Sequence, residues 1–198
     1  MDLLPTLFST GWASGVNSYL TVALLSLLGR SGVDGVPEAL QGNAVLALAL
    51  TMFAIEFVTD KVPYLDNIWD AVHTAVRPAV GSALGVAFAS DANVAGLEEA
   101  FSGAGSGATA LASHGVKAAL RLAINTSPEP FSNIVTSLVE DGLVAAVVAF
   151  AVHYPSIAAG ISLVLLVLGV SLAYFLATRI KRAVGALRER RRPPPHGI

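Results

Sequence analysis

The chain contains no cysteine among its 198 residues. Disulfides, thiolate metal sites and thiol nucleophiles are therefore excluded, while the redox compartment stays open. Charge is scarce as well: Asp, Glu, Lys and Arg make up 13% against 54% apolar residues, where soluble domains carry roughly 25% charged residues. No GxSxG, phosphate loop or HExxH motif occurs, so no familiar reaction centre is signalled. Bases are missing from the first segment, MDLLPTLFSTGW, which has Asp2 where a signal peptide would be basic. No cleavable signal is expected, and the first apolar span is expected to direct insertion. Aromatic residues are missing among the C-terminal bases, which argues against nucleic acid as a partner.

What remains is apolar and long-range in pattern. Mean hydropathy is +0.67, and several runs approach the ~20 residues that a helix needs to cross a bilayer. The expected fold is all-α, a polytopic transmembrane helical bundle of about six spans: 4–29, 43–60, 66–89, 106–125, 133–153 and 156–178. The first is unusual, with Pro5, Gly11, Gly15 and Asn17 in its first half. It reads either as one helix packed closely through small residues or as a broken, re-entrant entry that exposes backbone. Between the third and fourth spans, Val94, Leu97 and Phe101 face away from Glu98 and Glu99, which predicts a short interfacial helix.

Charge is distributed unevenly. Seven of the twelve bases follow position 178: Arg179, Lys181, Arg182, Arg188, Arg190, Arg191 and Arg192. The chain is accordingly divided into an integral membrane domain, 1–178, and a basic tail, 179–198, whose helix ends at the prolines 193–195. The positive-inside bias places this tail in the cytoplasm, and six spans then place both termini there.

The stretch from Glu56 to Gly81, EFVTDKVPYLDNIWDAVHTAVRPAVG, concentrates polar groups in this apolar chain. Asp66, Asp70, His73 and Arg77 fall at spacings of four, three and four, one stripe of a helix. Glu56 and Asp60 stand on the closing turns of the preceding span. His114, Lys117, Arg121 and Asn125 form a second stripe, and Asn133, Ser137, Glu140 and Asp141 a third. Charges inside a bilayer are costly, which makes these the candidate binding or pathway residues. Superposing Pro63-Tyr64 on Pro130-Phe131 matches Asp66 with Asn133, Asp70 with Ser137, His73 with Glu140 and Thr74 with Asp141. The two proline-broken hairpins thus align as an internal two-fold repeat.

These motifs, GWASGVNSYL, EFVTDKVPYLDNIWDAVHT with AVRP, H-x-x-K-x-x-x-R, SPEPFSN and S-x-x-ED, resemble a family of bacterial membrane proteins known as domain of unknown function 4126. The resemblance implies a multi-pass protein of the bacterial cytoplasmic (inner) membrane and carries no activity with it. It places Lys61, Pro63, Thr74, Pro78, Ser127, Pro128 and Pro130 in the same family pattern as the polar stripes.

Three functions are compatible with the polar set. The first is permeation or transport of a small solute, ion or proton through the cluster. The second is a structural or accessory subunit held together by a buried ion-pair network. The third is a membrane-embedded enzyme acting on lipid headgroups, with Lys117 and Arg121 on the phosphate. Neither cofactor nor metal is expected, since no compact ligand motif occurs. Beyond the lipid bilayer, the expected partner is a second copy or another membrane subunit. The second span is expected to supply acids to the bases of the fourth, with Arg121 paired to a carboxylate. The helices starting at Asp66 and Asn133 are expected to lie side by side.

Overall fold

Long apolar runs separated by proline, glycine and asparagine favour helices with short connections, and the chain forms little else. In the computed structural model, residues 2–126 and 130–190 are described. The expectations for Ser127, Pro128, Arg191, Arg192 and the prolines 193–195 lie outside those residues. The helices are α1 (Leu3–Val16), α2 (Ser18–Arg30), α3 (Asn43–Thr59), α4 (Leu65–Asp91), α5 (Leu97–Ile124), α6 (Pro130–His153) and α7 (Pro155–Arg190), with one 3-10 turn at Glu38–Leu40. No strand occurs among the described residues. The protein is all-α. Among the described residues, two helices, Phe131–His153 and Pro155–Arg182, are long and apolar enough to cross a membrane.

The segment 4–29 is not one helix. Asn17 adopts an extended conformation, and its Oδ1 accepts from the backbone N–H of Leu20, capping α2. Around it, Ser18 and Thr21 turn their hydroxyls back onto the carbonyls of Ser14 and Asn17, four residues earlier. Such back-bonding bends helices. The two halves then return to the same end of the bundle. Asp2 accepts a hydrogen bond from Ser156 at the start of α7, and it lines a cavity with Asp34, just beyond α2, and His153. The 3-10 turn lies beside Asp91 and Glu99 at that same end. This end therefore gathers Asp34, Glu38, Asp91 and Glu99, whereas Lys61 and the far turns of α7 with Arg179, Lys181 and Arg182 lie at the other.

Two expectations change with this geometry. The first is the common side for both termini: α1 and α2 start and finish at the acidic end, so Asp2 and the last turn of α7 stand at opposite ends. The second is the separate interfacial helix over 94–101: α5 starts at Leu97 and runs unbroken to Ile124. Gly96, at φ 71°, supplies the left-handed turn that lets α5 start there, and Glu98 and Glu99 occupy its first turn, where acids suit the helix dipole.

Helix α1 is the centre of the bundle, packed against α4, α5, α6 and α7. Its small residues permit this. A Cβ on Gly15 would collide with Ser113 and the Ala110 carbonyl of α5, and one on Gly11 would collide with the Ser106 carbonyl of the same helix. Toward the acidic end, Leu7, Trp12, Leu84, Phe88, Val144 and Val148 close the core. The outer surface is apolar too: Val167, Leu168 and Val170 of α7 are each more than half exposed. The inner surface, in contrast, is charged.

Candidate functional site

Three helix stripes and one interhelical turn meet between the tip of the α1–α2 pair and the proline-turn end. Asp66, Asp70, His73 and Arg77 project inward from α4, and His114, Lys117, Arg121 and Asn125 from α5. Glu56 and Asp60 come from the end of α3, and Asn133, Ser137, Glu140 and Asp141 from α6. From Asp66 to Arg77 is eleven residues, about 16 Å along a helix. All of these side chains are buried except Glu140 and Asp141, which are partly so.

Arg77 is fully buried. Its Nη2 lies 2.8 Å from Glu56 Oε1 and 3.1 Å from Asp70 Oδ1, the second an ion pair whose angle does not make a hydrogen bond. Its Nη1 donates to His114 Nδ1 at 2.8 Å and to the Gly15 carbonyl at 3.3 Å. A guanidinium only donates, so Nδ1 of His114 is an acceptor and the ring is neutral, with its hydrogen on Nε2 facing Thr74 Oγ1. His114 cannot take a proton without losing Arg77.

Lys117 sits in an oxygen cage. Its Nζ is 2.6 Å from Asp60 Oδ2, 3.1 Å from the Val16 carbonyl, 3.5 Å from Glu56 and 3.7 Å from Glu140. The carbonyls of Gly15 and Val16 are available because the helix breaks at Asn17, leaving the last turn of α1 without its own donors. Arg121 donates to Glu140 at 2.6 Å and to the Asp60 carbonyl at 2.7 Å, with Asp66 at 3.7 Å. The expected pairing of Arg121 with carboxylates is thus met by Glu140, Asp60 and Asp66, while Glu56 and Asp70 go instead to Arg77.

At the proline-turn end, Asn125 donates to both oxygens of Asp66 at 2.9 and 3.0 Å and accepts from Asn133 at 3.0 Å. Helices α4 and α6 therefore face a common interior but are linked through α5 side chains rather than by extensive packing on each other, which corrects the side-by-side expectation. Lys61, in the turn after α3, donates to Ser137 at 3.2 Å and lies over the Phe57 ring. Burial holds its amine below the usual lysine range, opposed by the carboxylates of Asp141 and Asp60.

Two residues outside the sequence-derived set complete the cluster. Tyr19 Oη meets His73 Nε2 at 2.9 Å, and His73 Nδ1 donates to the Trp69 carbonyl with the Trp69 ring stacked at 4.3 Å. His73 can accept from Tyr19 when neutral and donate to it when protonated, so it titrates without losing a partner. Asn17 donates to Asp141 Oδ1 at 3.0 Å. The signal for both was the polar run Asn17-Ser18-Tyr19 inside an apolar segment.

The charge balance is unequal. Glu56, Asp60, Asp66, Asp70, Glu140 and Asp141 are six acids, and Lys61, Arg77, Lys117 and Arg121 are four bases, an excess of two acids. Asp141 alone among these carboxylates makes no salt bridge within the described residues. Its Oδ2 is buried without a partner, as are Glu56 Oε2, Asp60 Oδ1 and Asp70 Oδ2. Among the described residues no three His, Cys, Asp or Glu side chains are grouped to hold a metal.

The family model described as domain of unknown function (DUF4126) matches residues 4–174. No curated protein and no solved structure matches the chain.

Proposed function

The chain belongs to the family described as domain of unknown function (DUF4126), and since that membership names no activity, we propose from the geometry a multi-pass membrane protein whose charged interior relays protons. Helices α3 to α7 would cross the bilayer and α1–α2 would enter and return. A chain with charge inside and leucine and valine outside suits lipid as its solvent. The basic end would face the cytoplasm by the positive-inside bias, as the tail 179–198 outside an embedded 1–178 requires. The inner membrane is the location that the resemblance to bacterial membrane proteins implies.

The excess of two acids carries the relay reading. Unpaired carboxylates in a low-dielectric interior hold protons instead of charge, so the cluster stores protons that it can release. A broken helix whose backbone carbonyls take part in a polar site at mid-depth is the arrangement used by proteins that move ions. Asp66 and Asn133, equivalent positions of the two proline hairpins, both bond Asn125, which supports the internal repeat as the origin of the site. The test is proton flux in vesicles holding the purified chain and an internal pH dye. An imposed potential is expected to drive protons in faster than in empty vesicles, and Asp141→Asn to abolish the difference; flux equal to empty vesicles would overturn the relay.

A second reading is favoured by the near-complete burial of Arg77, Arg121, Lys117 and Glu56, at 0–3% exposure. Such a dry network would pin the helices of an accessory or scaffold subunit. That reading expects no flux from the intact chain and loss of folding when a single charge is removed.

A further inference from the structure

The cluster has a lateral opening that the relay does not use. Between α1, α5, α6 and α7 lies a crevice of about 220 Å³, lined by Trp12, Leu120, Leu143, Leu165 and Leu168. Its polar lining comes from Lys117, Glu140 and Ser113. Two of these are already committed. Lys117, 2% exposed, is turned into its oxygen cage, and Ser113 donates to the Trp12 carbonyl. Glu140, 13% exposed, is the most open side chain of the salt-bridged carboxylates. Its Oε2 is held by Arg121 at 2.6 Å, while Oε1 receives only a long contact of 3.4 Å. Oε1, with only the long bond from Arg121 Nε, keeps a second lone pair on a carboxylate that lines the crevice with leucines and a tryptophan, and Lys117 stands 3.7 Å from Oε2. A carboxylate and an indole in an apolar wall recognise an alkylammonium group, through a charge-assisted hydrogen bond and cation–π attraction. A carboxylate or phosphate head would meet Glu140 instead of the buried Lys117.

We propose that this crevice binds a lipophilic primary amine entering from the bilayer, with its ammonium on Glu140 and its alkyl chain along Leu143, Leu165 and Leu168. The inference rests on the membrane placement proposed above but not on proton movement, and it is tested at equilibrium without a gradient. The chain has two tryptophans, so Trp69→Phe leaves Trp12 as the sole reporter while keeping a ring on His73. Purified Trp69→Phe protein in lipid nanodiscs is titrated with 11-bromoundecylamine, and with the matching bromo-alcohol and bromo-acid, following quenching of Trp12. The amine is expected to quench saturably and bind roughly tenfold more tightly than either comparator, the difference made by one charge-assisted contact. Glu140→Gln is expected to erase that preference. Should it fail to fold, Leu168→Phe, which narrows the crevice without touching the ion pairs, is expected to weaken amine quenching along with that of the comparators, and amine binding unchanged by it would overturn the proposal. Equal quenching by all three heads, or preference for the acid, would overturn the proposal, and so would an amine preference that survives Glu140→Gln. Absence of proton flux in vesicles would leave it standing.

Discussion

At the scale of single residues, the interior is ordered by which group each cation can reach. Arg121 donates to the Glu140 carboxylate and to the Asp60 backbone carbonyl, so Arg121→Ala leaves Glu140 without its close partner and a carbonyl without its donor, both in a buried setting. The loss is expected to be about 3–5 kcal/mol, because an uncompensated charge costs more than the pair contributes. Combining it with Glu140→Gln is expected to restore part of that stability, with a coupling of about 1–3 kcal/mol in thermal melts. Arg121→Ala with Asp70→Asn, which share no direct contact, is expected to be closer to additive. Equal coupling in both cycles would mean that the ion pairs do not organise the cluster. Much of this pairing was legible in the sequence. A lone arginine in an apolar helix needs a counter-charge, and the i, i+3 and i, i+4 spacings already placed the donors and acceptors on inward stripes. Its choice of Glu140 and Asp60 over Glu56 was not legible, because depth depends on where α3 and α6 end.

At the scale of elements, the break at Asn17 is what distinguishes the molecule from a simple bundle. The density of Gly, Ser and Asn in 11–18 allowed both a tightly packed helix and a broken one, and each contributes. Gly15 lets α1 touch α5, and Asn17 ends it. Composition alone could not choose, since the outcome depends on Arg77 and Lys117 meeting the freed carbonyls of Gly15 and Val16. Asn17→Ala removes the cap of α2 and the bond to Asp141, and is expected to cost at least about 1 kcal/mol. Gly15→Ala forces α1 off α5 and is expected to cost about 1–3 kcal/mol by overpacking. Both are read as shifts in the denaturation midpoint. An Asn17→Ala protein as stable as the parent would mean that the break is held by packing alone.

At the scale of the whole molecule, α3 to α7 alternate in direction while α1 and α2 form a returning pair, which places Asp2 and the end of α7 at opposite ends of the bundle. The sequence suggested both termini on one side because the first apolar run was long enough to be counted as a crossing. Length alone does not report that a chain turns back. The absence of native cysteine makes this easy to check. In oriented vesicles, a membrane-impermeant maleimide is expected to label Asp2→Cys and Asp34→Cys from one side and Lys181→Cys from the other. Labelling of Asp2→Cys together with Lys181→Cys would return the first segment to a full crossing.

The proposed relay depends on protons held by an interior with more acids than bases. Infrared difference spectroscopy of the purified chain, recorded across a pH titration, reports protonated carboxyl groups directly through their carbonyl stretch. Six acids against four bases in the cluster lead to an expectation of about two protonated carboxyls per chain at neutral pH, since buried carboxylates in excess of the available bases stay neutral, with Asp141, which makes no salt bridge among the described residues, as one of them. One of them is expected to vanish in Asp141→Asn and to lose its signal as the pH is raised. A neutral-pH spectrum with every cluster carboxylate ionised, unchanged by Asp141→Asn, would contradict the relay and leave a fully paired structural network in its place.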